Sequence, residues 1–126
     1  MTIECNNEKV SRIILNSKQL QKKVGTDMGK SIIKRLNQLK ASNNFYEYLK
    51  YINLGSPHHL KGDLNNCYGI SISANYRLII EPLGTKCDFE SLKECVSINV
   101  KGVIDYHGGK NEWIIPWFYY TSRRNS

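Results

Sequence analysis

The sequence predicts an α+β domain: a small antiparallel (mixed) β-sheet packed against an N-terminal α-helical hairpin. Three observations carry this. Apolar residues recur at helical spacing through the first third of the chain, whereas residues 68–80 and 96–101 alternate with period two, and the helical patterns precede the main strands. At 126 residues the chain supports one domain with a modest core.

Taken in order, Ile3-Glu4-Cys5 reads as a short first strand, with Asn6 or Asn7 capping the first helix. Val10, Ile13, Ile14 and Leu20 then mark one helix face, with Lys9, Arg12, Lys18, Lys22 and Lys23 elsewhere. Gly25-Thr26-Asp27 stops that helix and starts a second, whose apolar stripe is Met28, Ile32, Ile33, Leu36 and Leu39. A short amphipathic piece (Phe45, Leu49, Ile52) leads to Gly55-Ser56-Pro57 and the polar loop from His58 to Asp63. Two alternating runs joined at Ala74-Asn75 come next. Tyr68, Ile70 and Ile72 share a face with Tyr76, Leu78 and Ile80, and Arg77 points to the opposite face. Pro82 and Gly84 close that hairpin, and Gly84 to Glu94 reads as a connecting loop. Val96, Ile98 and Val100 begin a third strand that Gly102 bends or bulges, ending at Asp105-Tyr106-His107 before Gly108-Gly109. Beyond it, Trp113, Ile115 and Trp117 alternate as a strand would, inside a dense aromatic cluster with a basic end. The domain is expected to span 1–107, with 108–126 packed on it as an aromatic and basic extension.

Composition narrows the function classes. The net charge of +7 is lopsided: Asn7 to Lys61 carries eleven Lys or Arg against three acids, while Gly62 to Ser126 balances seven against seven. An N-terminal half of this kind suits a polyanionic partner, although a solvated Lys-rich helix face looks the same in sequence. The four cysteines show no Cys-x-x-Cys spacing and no nearby His, so no zinc site is expected, and reduced thiols in a cytoplasmic protein are the default. The first residues lack the basic and then apolar regions of a signal peptide, and the longest apolar run is too short to span a bilayer.

The residues able to do chemistry are His58, His59, Lys61, Arg77, Asp105, Tyr106 and His107. Histidines exchange protons near neutral pH, and Lys or Arg stabilises charge growing on a phosphate. Cleaving RNA without a metal needs only such a set: one group takes the 2′-hydroxyl proton, another protonates the departing 5′ oxygen, and cations hold the crowded phosphorus. Asp105 and His107 share a strand face by period two, so the carboxylate can orient the imidazole. Each residue also has a structural reading. Lys61 before Gly62 is ordinary turn chemistry, Arg77 can pair with Glu81 along its strand face, and Tyr68 and Tyr76 read as core.

The ordered combination His58-His59-Leu60-Lys61-Gly62-Asp63, then Asn75-Tyr76-Arg77-Leu78-Ile79, then Asp105-Tyr106-His107 resembles the HigB-type toxins of the RelE/ParE superfamily, over roughly Ile3 to His107. The resemblance implies a compact sheet with two N-terminal helices and ribosome-dependent endonucleolytic cleavage of mRNA by metal-free acid–base catalysis. It also implies the toxin role in a type II toxin–antitoxin system, neutralised by a HigA-like helix-turn-helix antitoxin. By position, catalysis would fall to His58, Asp105, Tyr106 and His107, with Lys61 and Arg77 on phosphate and His59 beside them as an RNA contact. The implied partners are the antitoxin, ribosomal RNA and mRNA, with no cofactor and no membrane. Two departures stand out: His59 occupies a position commonly held by Pro, and nineteen residues follow His107 where many members stop. A non-enzymatic branch of the superfamily, the ParE-like inhibitors of DNA gyrase, offers a second reading, and a degenerate homologue that only binds a partner offers a third.

Overall fold

The computed structural model of the protein describes residues 1–85 and 88–115. Strand β1 (Thr2–Glu4) leads into three helices, α1 (Glu8–Ile14), α2 (Ser17–Val24) and α3 (Thr26–Ala41). A single turn, α4 (Phe45–Glu47), runs into a π-helical turn at Tyr48–Ile52. The two-residue β2 (His58–His59) and a 3-10 turn at Gly62–Leu64 come next. Strands β3 (Tyr68–Ser71) and β4 (Tyr76–Pro82), the short α5 (Phe89–Leu92), β5 (Ser97–His107) and β6 (Lys110–Ile115) complete the described chain. The α+β class and the mixed sheet are as the sequence predicts.

The expected first helix is two helices. Asn16 breaks it, because its side-chain oxygen accepts from the backbone N–H of Lys18 and Gln19 and so caps a new helix. Asn7 caps α1 in the same way, by accepting from Val10 N–H. The longer α3 buries Ile32, Leu36 and Leu39, three residues of its predicted apolar stripe. The loop expected between Gly84 and Glu94 contains α5, capped by Asp88 accepting from Ser91 N–H.

The six strands run β1-β5-β4-β3-β2, with β6 also on β5. Among the described residues only β1 pairs in parallel, and every other ladder is antiparallel. Strand β5 is the hub: β4 lines one of its flanks, while β1 (beside Ser97–Asn99) and β6 (beside Val103–His107) divide the other. The sheet's two faces follow from register. Tyr68, Ile70, Leu78, Ile80, Ile98, Val100, Val103 and Ile115 look toward the helices and form the main core with Val10, Ile14, Leu20, Phe45 and Tyr48. The other, outer face is less bare than alternation alone suggests. Cys67, Ile79 and Ile104 are buried there beneath Leu60, Leu64, Tyr106 and Trp113. A small second core therefore holds the 60–67 loop against the sheet. No described helix is long and apolar enough to cross a membrane.

Candidate functional site

Four neighbouring strands each place a residue on the outer face around one cavity of about 250 Å³: His58 from β2, Gly69 from β3, Arg77 from β4 and Tyr106 from β5, with Leu60 at the wall. His58 pairs across the ladder with Gly69, so the imidazole stands beside a position with no side chain. Arg77 stands on the far side of β3, opposite Ser71 and Ile104. At roughly 4.8 Å between strands, the β2 and β4 backbones lie about 10 Å apart, and the space over Gly69 separates the two side chains. The left-handed backbone that usually calls for glycine is absent here, and a Cβ at position 69 would meet Leu60, Ile79 and Arg77 at 3.4, 3.7 and 3.8 Å, ordinary contact distances. Neither the backbone nor the core demands glycine at 69; the open cavity floor does.

His58 and Arg77 are each held by the backbone near them. His58 Nδ1 lies 2.7 Å from the carbonyl oxygen of Ser56. A carbonyl only accepts, so Nδ1 carries the hydrogen and Nε2 is the bare nitrogen of the neutral ring. Arg77 Nη1 donates to the carbonyls of Ser73, Ala74 and Tyr76 at 3.0, 3.2 and 3.1 Å, bracing the β3–β4 turn. Among the described residues no carboxylate pairs with Arg77. Glu81, the partner that strand alternation offers it, instead holds Lys101 at 3.2 Å and accepts from Asn66 at 2.7 Å. Burial pushes the Tyr106 phenol above its ordinary value of 10, against the pull of the Arg77 guanidinium, so it remains a hydrogen-bond donor at neutral pH.

The other sequence candidates lie elsewhere. Asp105 pairs across β4 with Tyr76, on the opposite face of β5 from Ile104 and Tyr106, and His107 follows it by alternation. Asp105 Oδ2 is 3.5 Å from His107 Nδ1, within ion-pair distance of an imidazole whose side chain is 70% exposed at the strand's end. Asp105 Oδ1 is buried without a hydrogen-bond partner among the described residues. His107 and Asp105 thus form a pair of their own and do not line the cavity. The cause is the continuation of β5 into a hairpin with β6, which keeps Asp105-Tyr106-His107 strictly alternating. His59 has a structural task. Its ring stacks on Tyr68 (centroids 4.9 Å apart, 13° between planes), and Nε2 donates to the Asn65 carbonyl, closing the loop. Lys61 is exposed in that loop, outside the cavity lining. Sequence reasoning misses Gly69 and Ser56. Only a glycine interrupting an alternating strand hints at the first. Trp113 and Ile115 lie on β6, the strand their spacing predicts. The register slip between Val103 and Ile104, however, turns Ile115 to the helix side and Trp113 to the outer face. Trp117 and the rest of the tail from 116 lie outside the described residues.

Among the described residues no group of three or more His, Cys, Asp or Glu side chains could hold a metal ion. The chain matches no family model, no curated protein and no solved structure.

Proposed function

We propose that this chain is a toxin of the HigB type, of the RelE/ParE superfamily, which cuts mRNA in the ribosomal A site and is neutralised by a helix-turn-helix antitoxin in the cytoplasm. The observation that carries the reading is the cavity that sets His58, Arg77 and Tyr106 around a glycine floor. Its volume of about 250 Å³ has room for a phosphodiester with its ribose. Arg77, with no carboxylate on it among the described residues, offers its remaining N–H groups to the phosphate oxygens. Tyr106 donates a further hydrogen bond, and His58 takes the 2′-hydroxyl proton while solvent water protonates the departing 5′ oxygen. Exposed lysines on the helices (Lys18, Lys22, Lys23, Lys30, Lys34) supply a salt-sensitive attraction to ribosomal RNA. Asp105 and His107 would act from the strand end, on RNA that passes over it.

The test is to map 5′ ends of mRNA on ribosomes exposed to the wild-type protein, His58→Gln, Arg77→Ala and His107→Ala. New ends with wild type, lost or reduced at least a hundredfold in the first two variants, are expected. Undiminished cleavage by His58→Gln would remove the cavity from the chemistry. Loss confined to His107→Ala would move the chemistry to the strand end.

One observation favours a second reading, a ParE-like gyrase inhibitor: only one of the two candidate proton-transfer imidazoles lines the cavity. Induction would then produce double-strand DNA breaks and leave transcripts whole.

A further inference from the structure

The chain from Asn53 to Ser56 turns repeatedly through positive φ, and the strain falls on Ser56, since asparagine and glycine adopt that region readily. Asn53, Gly55 and Ser56 all have positive φ, at 47°, 83° and 46°. For Ser56 the conformation is doubly unusual, because Pro57 comes after it and a residue before proline is normally extended. Strain of this kind persists only where the surroundings impose it. Here they do. Gly55 O accepts from Ser71 N–H at 2.6 Å, and Ser71 O accepts from Arg35 Nε at 2.8 Å. A Cβ on Gly55 would lie 2.5 Å from the Ile70 side chain and 2.8 Å from Arg35 Nε. From the other side the buried Tyr48 hydroxyl donates to the Leu54 carbonyl. Helix α3, strand β3 and the π-helical turn therefore all grip the segment just ahead of His58.

We infer that Ser56 is a positioning residue: its left-handed backbone presents the carbonyl that holds His58 with Nδ1 protonated and Nε2 bare, so that the imidazole meets the cavity as a proton acceptor. The 2.7 Å bond from Nδ1 to Ser56 O is what the strained segment achieves. Nε2, the distal ring nitrogen, has no protein hydrogen bond among the described residues and is free for a substrate hydroxyl. The device is made of backbone, so the serine side chain is dispensable and its φ is not. The chemical meaning rests on the cavity reading above; the tautomer itself does not.

The experiment is a long-range 1H–15N correlation spectrum of the imidazoles at a pH where they are neutral. The chain has only three histidines, and loss of one set of signals in His58→Gln assigns the first. Wild type should show a protonated Nδ1 and a bare Nε2 for His58. Ser56→Gly, which accepts positive φ freely, should keep that pattern. Ser56→Val, whose branched side chain resists positive φ, should collapse it toward a tautomer mixture while the His59 and His107 signals stay in place. An Nε2-protonated His58 in wild type overturns the inference, as does a bare Nε2 retained in Ser56→Val. Loss of the pattern in Ser56→Gly overturns it too, by moving the effect to the side chain. No RNA is needed for this readout. Absence of cleavage by wild type would defeat the proposed nuclease and leave the tautomer standing, whereas the wrong tautomer defeats only the positioning role.

Discussion

Gly69 shows at the scale of one residue how a site can be made by leaving something out. Its neighbours would tolerate a methyl group at ordinary contact distance, and an alanine in a strand generally gains about 0.5–1 kcal/mol over glycine. Gly69→Ala should therefore melt no lower than wild type. Gly69→Val should also fold, but its branches rise into the space between His58 and Arg77. We expect substrate cleavage to fall by roughly tenfold or more, about 1.4 kcal/mol of lost transition-state stabilisation, with the melting temperature within a few degrees of wild type. Unchanged cleavage by Gly69→Val would mean that substrate does not use the cavity. Arg77 makes the complementary point, since one nitrogen is committed to three turn carbonyls and the rest of the guanidinium is not. A lysine there could keep the charge but not both tasks.

Among the elements, β5 is the most demanding. Its register against β4 slips between Ile79 and Ile80, leaving Lys101 as an extra residue, and its register against β6 slips between Val103 and Ile104. Gly102 sits between these irregularities with φ 148°, and a Cβ on it would fall 1.8 Å from the Ile115 carbonyl oxygen. Gly102→Ala should cost about 3 kcal/mol or more and loosen β6 first, which amide exchange along Lys110–Ile115 would report. Protection of β6 equal to wild type would contradict that account. The bulge is legible in the sequence because glycine interrupts an alternating run. So are the main strands, the face on which Arg77 lies and the apolar stripe of α3. The break at Asn16 is not, since an asparagine inside an apolar rhythm reads as a tolerated surface residue until its side chain is seen capping. Strand β2 is equally hidden, because a two-residue strand has no period. The site is half legible: residue types name His58, Arg77 and Tyr106, but which of them meet depends on the hairpin after His107, which carries Asp105 and His107 to the other face.

For the molecule as a whole, burial sets the alkaline limit of stability. Desolvation raises Cys5 from 9.0 to about 11 and Tyr48 from 10.0 to about 12. Both groups hold their protons more tightly folded than unfolded. Their contribution is complete below the unfolded values and is lost as pH rises through the folded ones, so stability should decline from about pH 9 to 12. Denaturant midpoints measured across that range should fall, and Tyr48→Phe should flatten the upper part of the decline. A midpoint that holds steady to pH 12 would refute the desolvation of these two groups in the folded state.

The flank of β5 shared by β1 and β6 carries a further consequence. Thr2 N–H finds its acceptor at Val96, so β1 has no place in the sheet until the distant β5 has been made. Closing so long a span is slow, and a nascent chain halted short of residue 97 would keep its opening segment unpaired. A chain built this way keeps β1 unpaired, and its cavity lacks Tyr106, until β5 has been made.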